Sequence, residues 1–145
     1  MKEICVDASV ILKLVLKGEP HRDKARRLVR DSITAGMTLI APPFYISEVD
    51  SVIRKRVFEA KLRPADAQRA FAVLDGAPAS VLTHPNLRQR AREIAEQFNQ
   101  RTVYDATYAA LAELRGCEFW TADYKFYSDV RIALSFVKYL VNYFS

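Results

Sequence analysis

The chain has 145 residues, 50% hydrophobic and 27% charged, with only 4 Gly and 6 Pro. That composition buries enough apolar surface to offset chain entropy, which excludes disordered and fibrous classes, and the length is that of a single domain spanning 1–145. The formal net charge of +5 lies wholly in the first half, where residues 1–72 carry 14 basic and 9 acidic groups against 8 and 8 in residues 73–145. Segment 13–30 concentrates it. There Lys13, Lys17, Arg22, Lys24, Arg26, Arg27 and Arg30 face only Glu19 and Asp23, a stretch suited either to phosphates or an acidic partner, or to a solvated helix face.

No apolar run reaches the ~18–20 residues of a membrane span. The stretch Val10–Leu16 is interrupted by Lys13 and followed by no small-residue cleavage site, so no secretion signal is expected. Cys5 and Cys117 both lie in apolar segments. Neither a disulfide framework nor a paired-cysteine zinc site follows from them, and a reducing cytoplasm is the expected compartment.

In chain order, residues 2–6 (KEICV) predict a first strand, 8–17 and 21–35 two helices, and 38–41 (TLIA) a second strand. Helices follow at 43–60 and 64–75, a third strand at 80–83, helices at 87–99 and 103–115, and a fourth strand at 118–121. Each helix carries apolar residues at spacings of three and four. A short helix starts at Tyr124. The aromatic and β-branched tail Val130–Phe144 fits an edge strand at 136–140, a final helix, or a contact surface for a second subunit. Pro42 and Pro43 close the second strand, and Pro64 stands at the first position of its helix. Gly36, Gly76 and Gly116 end helices, where a left-handed residue is expected. Strands separated by helices imply an α/β fold with a mainly parallel sheet.

Ligands of such sheets gather outside the carboxyl ends of the strands, and four acids stand where this matters. Asp7 ends the first strand in VDAS, and Asp123 follows the fourth in FWTAD; each also has the position of a helix N-cap. Glu48 borders the apolar stripe Tyr45, Val49, Val52, Ile53 and Val57, where it is either carried toward the packed side or snorkels to water. Asp105 lies on an apolar helix face with Tyr108, Ala109 and Ala112, and its spacing from Thr102 also fits a capping box. If the helices bearing Glu48 and Asp105 flank the edge where Asp7 and Asp123 emerge, the four carboxylates repel unless a cation joins them. Oxygen-only ligation suits magnesium or manganese.

With its order of VDASVILKLVLKGEP, ISEVDSVIRKRV, YDATYAALAELRG and FWTADYKFY, the sequence resembles the PIN-domain ribonucleases, particularly the VapC-type toxins of toxin–antitoxin pairs. The resemblance implies a Rossmann-like three-layer α/β/α sandwich and a metal-binding catalytic cluster of Asp7, Glu48, Asp105 and Asp123. It places Ser9 and Thr121 beside that cluster, where both also fit ordinary helix-terminus hydrogen bonding. It implies one or two Mg2+ or Mn2+ ions, RNA as substrate, a cognate antitoxin and homodimerisation.

On this reading the protein is a metal-dependent endoribonuclease, with Lys13, Lys17, Arg22, Arg26 and Arg27 as candidates for holding the RNA backbone. A haloacid-dehalogenase-type phosphohydrolase would place a second acid where Ser9 stands. A non-catalytic PIN-like binding module would use the basic first half alone. His21 and His84 fall in connections, and no glycine-rich phosphate loop follows the first strand. Tyr104, Tyr108, Phe119 and Trp120 are expected to pack in the core rather than stack on bases.

Overall fold

Five short apolar runs form parallel strands: β1 (Glu3–Val6), β2 (Thr38–Ala41), β3 (Ser80–Val81), β4 (Phe119–Thr121) and β5 (Val137–Tyr139). The computed structural model describes residues 2–76 and 78–144. Among these, the strand order is β3-β2-β1-β4-β5. The chain builds outward from β1 to β3, then returns to place β4 on the other side of β1. That reversal opens a crevice between the carboxyl ends of β1 and β4.

The helices are α1 (Ala8–Val15), α2 (Arg22–Thr34), α3 (Tyr45–Phe58), α4 (Pro64–Asp75), α5 (Leu87–Gln97), α6 (Tyr104–Arg115) and α7 (Tyr124–Val130). Pro64 opens α4 as expected, because its missing N–H and fixed φ suit a first turn. Gly36 and Gly116 take left-handed backbone at φ 79° and 70°. Gly76 does not: its φ is −74°, so that helix ends without the left-handed turn the sequence suggested.

Alternation along the strands divides the molecule into three layers. Cys5 and Phe119 are register partners and face α6, where the Cys5 thiol donates to the Tyr108 carbonyl at 3.7 Å. Phe119 stacks on Tyr108 with centroids 5.6 Å apart and meets the α7 ring of Phe126 at 6.3 Å. Ile4 and Trp120 face the opposite layer with Leu28 of α2. Ala106, Ala109, Ala110 and Ala112 are all buried on α6, and their small side chains let that helix lie close to the sheet and to α5. The three-layer α/β sandwich is as expected, with one apolar core running through both sheet faces.

The tail resolves its ambiguity by dividing. It finishes α7, turns into β5 beside β4, then forms a single 3₁₀ turn at Leu140–Asn142. Beyond it Tyr143 packs edge-on against Trp120 at 5.2 Å and donates its hydroxyl to Asp31 at 2.7 Å. No helix among the described residues is long and apolar enough to cross a membrane.

Candidate active site

β1 delivers Asp7 to the crevice at its carboxyl end, with the backbone N–H of Asp7 on the Trp120 carbonyl at 3.3 Å. The side chain is 4% exposed. Its Oδ1 accepts the Ser9 hydroxyl and the Val10 N–H (3.1 Å), and its Oδ2 accepts the Thr121 hydroxyl at 2.5 Å. Asp7 therefore is an N-cap, as its position allowed, but a buried one inside a polar cluster. Burial pushes its carboxyl up from the ordinary range, against the lowering effect of those hydrogen bonds, and the charge of Asp123 adds to the rise.

Thr121, fully buried at the end of β4, joins two acids. Its hydroxyl donates to Asp7 and accepts the Asp123 N–H at 3.0 Å. Asp123 in turn caps α7, its Oδ1 accepting the Phe126 N–H at 3.0 Å. Both acids, at the carboxyl ends of β1 and β4, thus cap the helices that follow them.

α3 and α6 bring the remaining two acids. Glu48 is half-buried in the first turn of α3, and its Oε1 accepts the Tyr108 hydroxyl of α6 at 2.8 Å. Burial raises its pKa, the Tyr108 hydrogen bond opposes this, and Asp7 adds to the rise. Asp105 is pushed up to about 8, first by burial, then by the charges of Asp7 and Asp123, its bond with Asp123, and the charge of Glu48. The expected capping box with Thr102 does not form. α6 starts at Tyr104 after Val103, with no side-chain cap, so Thr102 lies one residue too early and the Asp105 carboxyl is turned to the other acids.

The structure thus brings Asp7, Glu48, Asp105 and Asp123 into one electrostatically coupled cluster, with Ser9 and Thr121 bonded to Asp7. Among the described residues no three His, Cys, Asp or Glu side chains close into a ready-made metal cage. Like charges hold carboxylates apart, and a divalent cation is the natural group to draw them in.

The basic segment divides. Lys17, Arg26 and Arg27 are exposed, Arg27 lying over the Phe144 ring at 5.1 Å. Lys13 and Arg22 are engaged within the fold. Lys13 is buried, donating to the Pro20 carbonyl at 2.8 Å with Glu19 4.0 Å away. Arg22 donates to the carbonyls of Lys13 and Leu14 at 3.0 and 3.3 Å, satisfying the orphan acceptors at the end of α1. Both cations complete local structure.

Two tyrosines of α6 lie beside the cluster. Tyr108 packs in the core as expected, yet its hydroxyl holds Glu48, a contact the sequence signalled only by its spacing of three from Asp105 on one helix. Tyr104 does not pack in the core at all: it is 57% exposed, with its ring 5.5 Å from that of Phe44.

Comparison with known proteins identifies the family. A family model described as the PIN domain matches residues 4–130, a span containing all four acids. A VapC ribonuclease of Mycobacterium bovis is 32% identical over 120 residues, covering 83% of this chain and 85% of that protein. Ribonuclease VapC9 of Mycobacterium tuberculosis matches to the same extent. The fold is shared with PAE2754 from Pyrobaculum aerophilum, at a TM-score of 0.67 and 22% identity over 97% of this chain and 92% of that one. It is shared too with the Sarcin-Ricin loop cleaving toxin VapC20 of Mycobacterium tuberculosis, at a TM-score of 0.61 and 20% identity over 86% and 93%. The chain therefore belongs to the PIN-domain family, among its VapC-type ribonucleases.

Proposed function

We propose that the protein is a metal-dependent endoribonuclease that hydrolyses RNA phosphodiester bonds as the toxin of a toxin–antitoxin pair. The observation that carries this reading is Asp105, a carboxyl on an otherwise apolar helix face, held near pKa 8 by burial and by the acids around it. A fold does not retain such a repulsive cluster for stability, since replacing one acid by an amide would relieve it. The relatives that match most of the chain are ribonucleases, which supports the same conclusion.

Asp7, Glu48, Asp105 and Asp123 would hold one or two Mg2+ or Mn2+ ions, which when bound supply Lewis-acid charge for the scissile phosphate and lower the pKa of water. The chain's own contribution is to position these oxygens. Ser9 and Thr121 fix both oxygens of Asp7, Thr121 also holds the backbone of Asp123, and Tyr108 holds one oxygen of Glu48. Ser9 stands where a haloacid-dehalogenase-type enzyme would require its partner acid, which argues against attack by Asp7 on phosphorus. Water is the nucleophile in this reading: its oxygen bonds to phosphorus as the P–O3′ bond breaks, which leaves a 5′-phosphate on one product and, once O3′ takes up a proton, a 3′-hydroxyl on the other. Lys17, Arg26 and Arg27 are the candidates for RNA backbone contacts. A cognate antitoxin and a second copy of the chain are the proposed protein partners, and the cytoplasm the proposed compartment.

The test is cleavage of a mixed RNA pool by purified protein with Mg2+ or Mn2+, against chelator and Asp105→Asn. Metal-dependent cuts with 5′-phosphate ends, lost in the variant, are the expected result. Equal cutting by the variant would remove the acid cluster from the reaction.

A further inference from the structure

Beside the acid cluster lies a cavity of about 400 Å³ lined by Phe44, Ser47, Glu48, Ser51 and Tyr104. Four of these residues, at positions 44, 47, 48 and 51, have the spacing of one helical stripe, adjacent to the core stripe of Tyr45, Val49 and Ile53 that the same helix buries. The wall across from them is Tyr104, immediately before Asp105. We propose that this cavity is a nucleobase subsite, which receives a base next to the scissile phosphate of a single-stranded RNA. The inference rests on the ribonuclease reading and specifies how that site would choose where to cut.

The chemistry of the lining carries the assignment. Phe44 and Tyr104 present aromatic surface, and Tyr104 is 57% exposed although its ring is large and apolar. Phe44 is itself braced by the buried Tyr108, edge-on at 5.2 Å, so the wall is anchored to the core. A planar base stacks on such a surface whatever its identity. Ser47 and Ser51 lie one helical turn apart and are exposed, and hydroxyls both donate and accept, which lets them meet a base edge. Glu48 forms the rim shared with the acid cluster and gives one oxygen to Tyr108, so a base seated here leaves its attached phosphate next to the carboxylates. A basic protein side chain would also suit Glu48 and an exposed ring, which makes it the competing occupant that the test must separate from a base.

Two measurements test this. In the first, each nucleoside 5′-monophosphate is titrated into the metal-free protein and into Tyr104→Ala, and the aromatic side-chain NMR signals are followed. Shifts at Phe44 and Tyr104, with binding weakened about tenfold or more in the variant, are expected from the loss of one stacked base. In the second, a randomised single-stranded RNA pool is cleaved and both product ends are sequenced. The wild-type protein should show a preference at one nucleotide flanking the cut. That preference should flatten in Tyr104→Ala and in the Ser47→Ala, Ser51→Ala pair, and persist in Tyr104→Phe and in Ile132→Ala, which lies outside the cavity. Nucleotide shifts without any cleavage would keep the subsite and remove the ribonuclease reading. Cleavage with an unchanged preference and no nucleotide shifts would do the reverse. Protection of these rings only in a complex with a protein partner would reassign the cavity to that partner and overturn the proposal.

Discussion

Tyr108 illustrates how one side chain serves packing and chemistry together. Its ring is 1% exposed between Phe44 and Phe119, and only its hydroxyl reaches Glu48. Tyr108→Phe keeps the ring and its packing but removes the hydroxyl, so Glu48 loses its tether. A hydrogen bond to a charged group contributes about 1.5–3 kcal/mol; Mg2+ affinity by calorimetry and the cleavage rate should therefore both fall by about tenfold or more. Thr121 differs because its hydroxyl is satisfied in two directions within a fully buried setting. Thr121→Val preserves shape but leaves the Asp7 oxygen and the Asp123 N–H without that partner. It should cost about 2 kcal/mol in urea unfolding, and Thr121→Ser should recover most of that loss.

At the scale of elements, the basic charge of residues 13–30 divides between structure and surface because α1 is short and stops inside the fold. Its last carbonyls need donors, and Arg22 supplies them. Arg22→Ala should lower unfolding stability by about 1 kcal/mol and leave the salt dependence of RNA binding unchanged. Arg26→Ala and Arg27→Ala should do the opposite: stability stays nearly constant, while each weakens RNA binding and reduces the slope of affinity against salt by about one phosphate contact. Filter binding over a salt series separates the two classes, and a wild-type slope in all three variants would exclude these α2 arginines from the RNA interface.

For the whole molecule, the acid cluster makes stability depend on pH and on metal. Asp105 titrates near 8 in the folded chain against an ordinary 3.8, so between those values the native state binds more protons than the unfolded state, and stability falls as pH rises. The raised Asp7 and Glu48 act in the same direction. The thermal midpoint of the metal-free protein should therefore fall from mildly acid pH toward pH 8, with the contribution of Asp105 fully present only below its ordinary pKa. Asp105→Asn should raise the midpoint at pH 8 and flatten this slope, and Mg2+ should raise it for the wild-type protein alone. A midpoint independent of both pH and metal would mean that the carboxylates do not interact.

Periodicity and turn chemistry were sufficient for the elements: β2 has the bounds read from TLIA, and α4 runs from Pro64 to Asp75 as its proline indicated. The order of strands and helices determined the parallel α/β class, and the motifs around Asp7, Glu48, Asp105 and Asp123 determined the family. These signals are local, or repeat at a fixed spacing, and so survive in one dimension. Only the tertiary structure decided that Asp7 and Asp123 cap helices and face the other acids at once, that Lys13 is buried, and that Tyr104 is left exposed while Tyr108 is enclosed. Each outcome depends on what the remainder of the chain places opposite a side chain. Helical spacing specifies which residues share a face, whereas the crossing of α3, α6 and the β1–β4 edge specifies whether that face meets core, water or another charge.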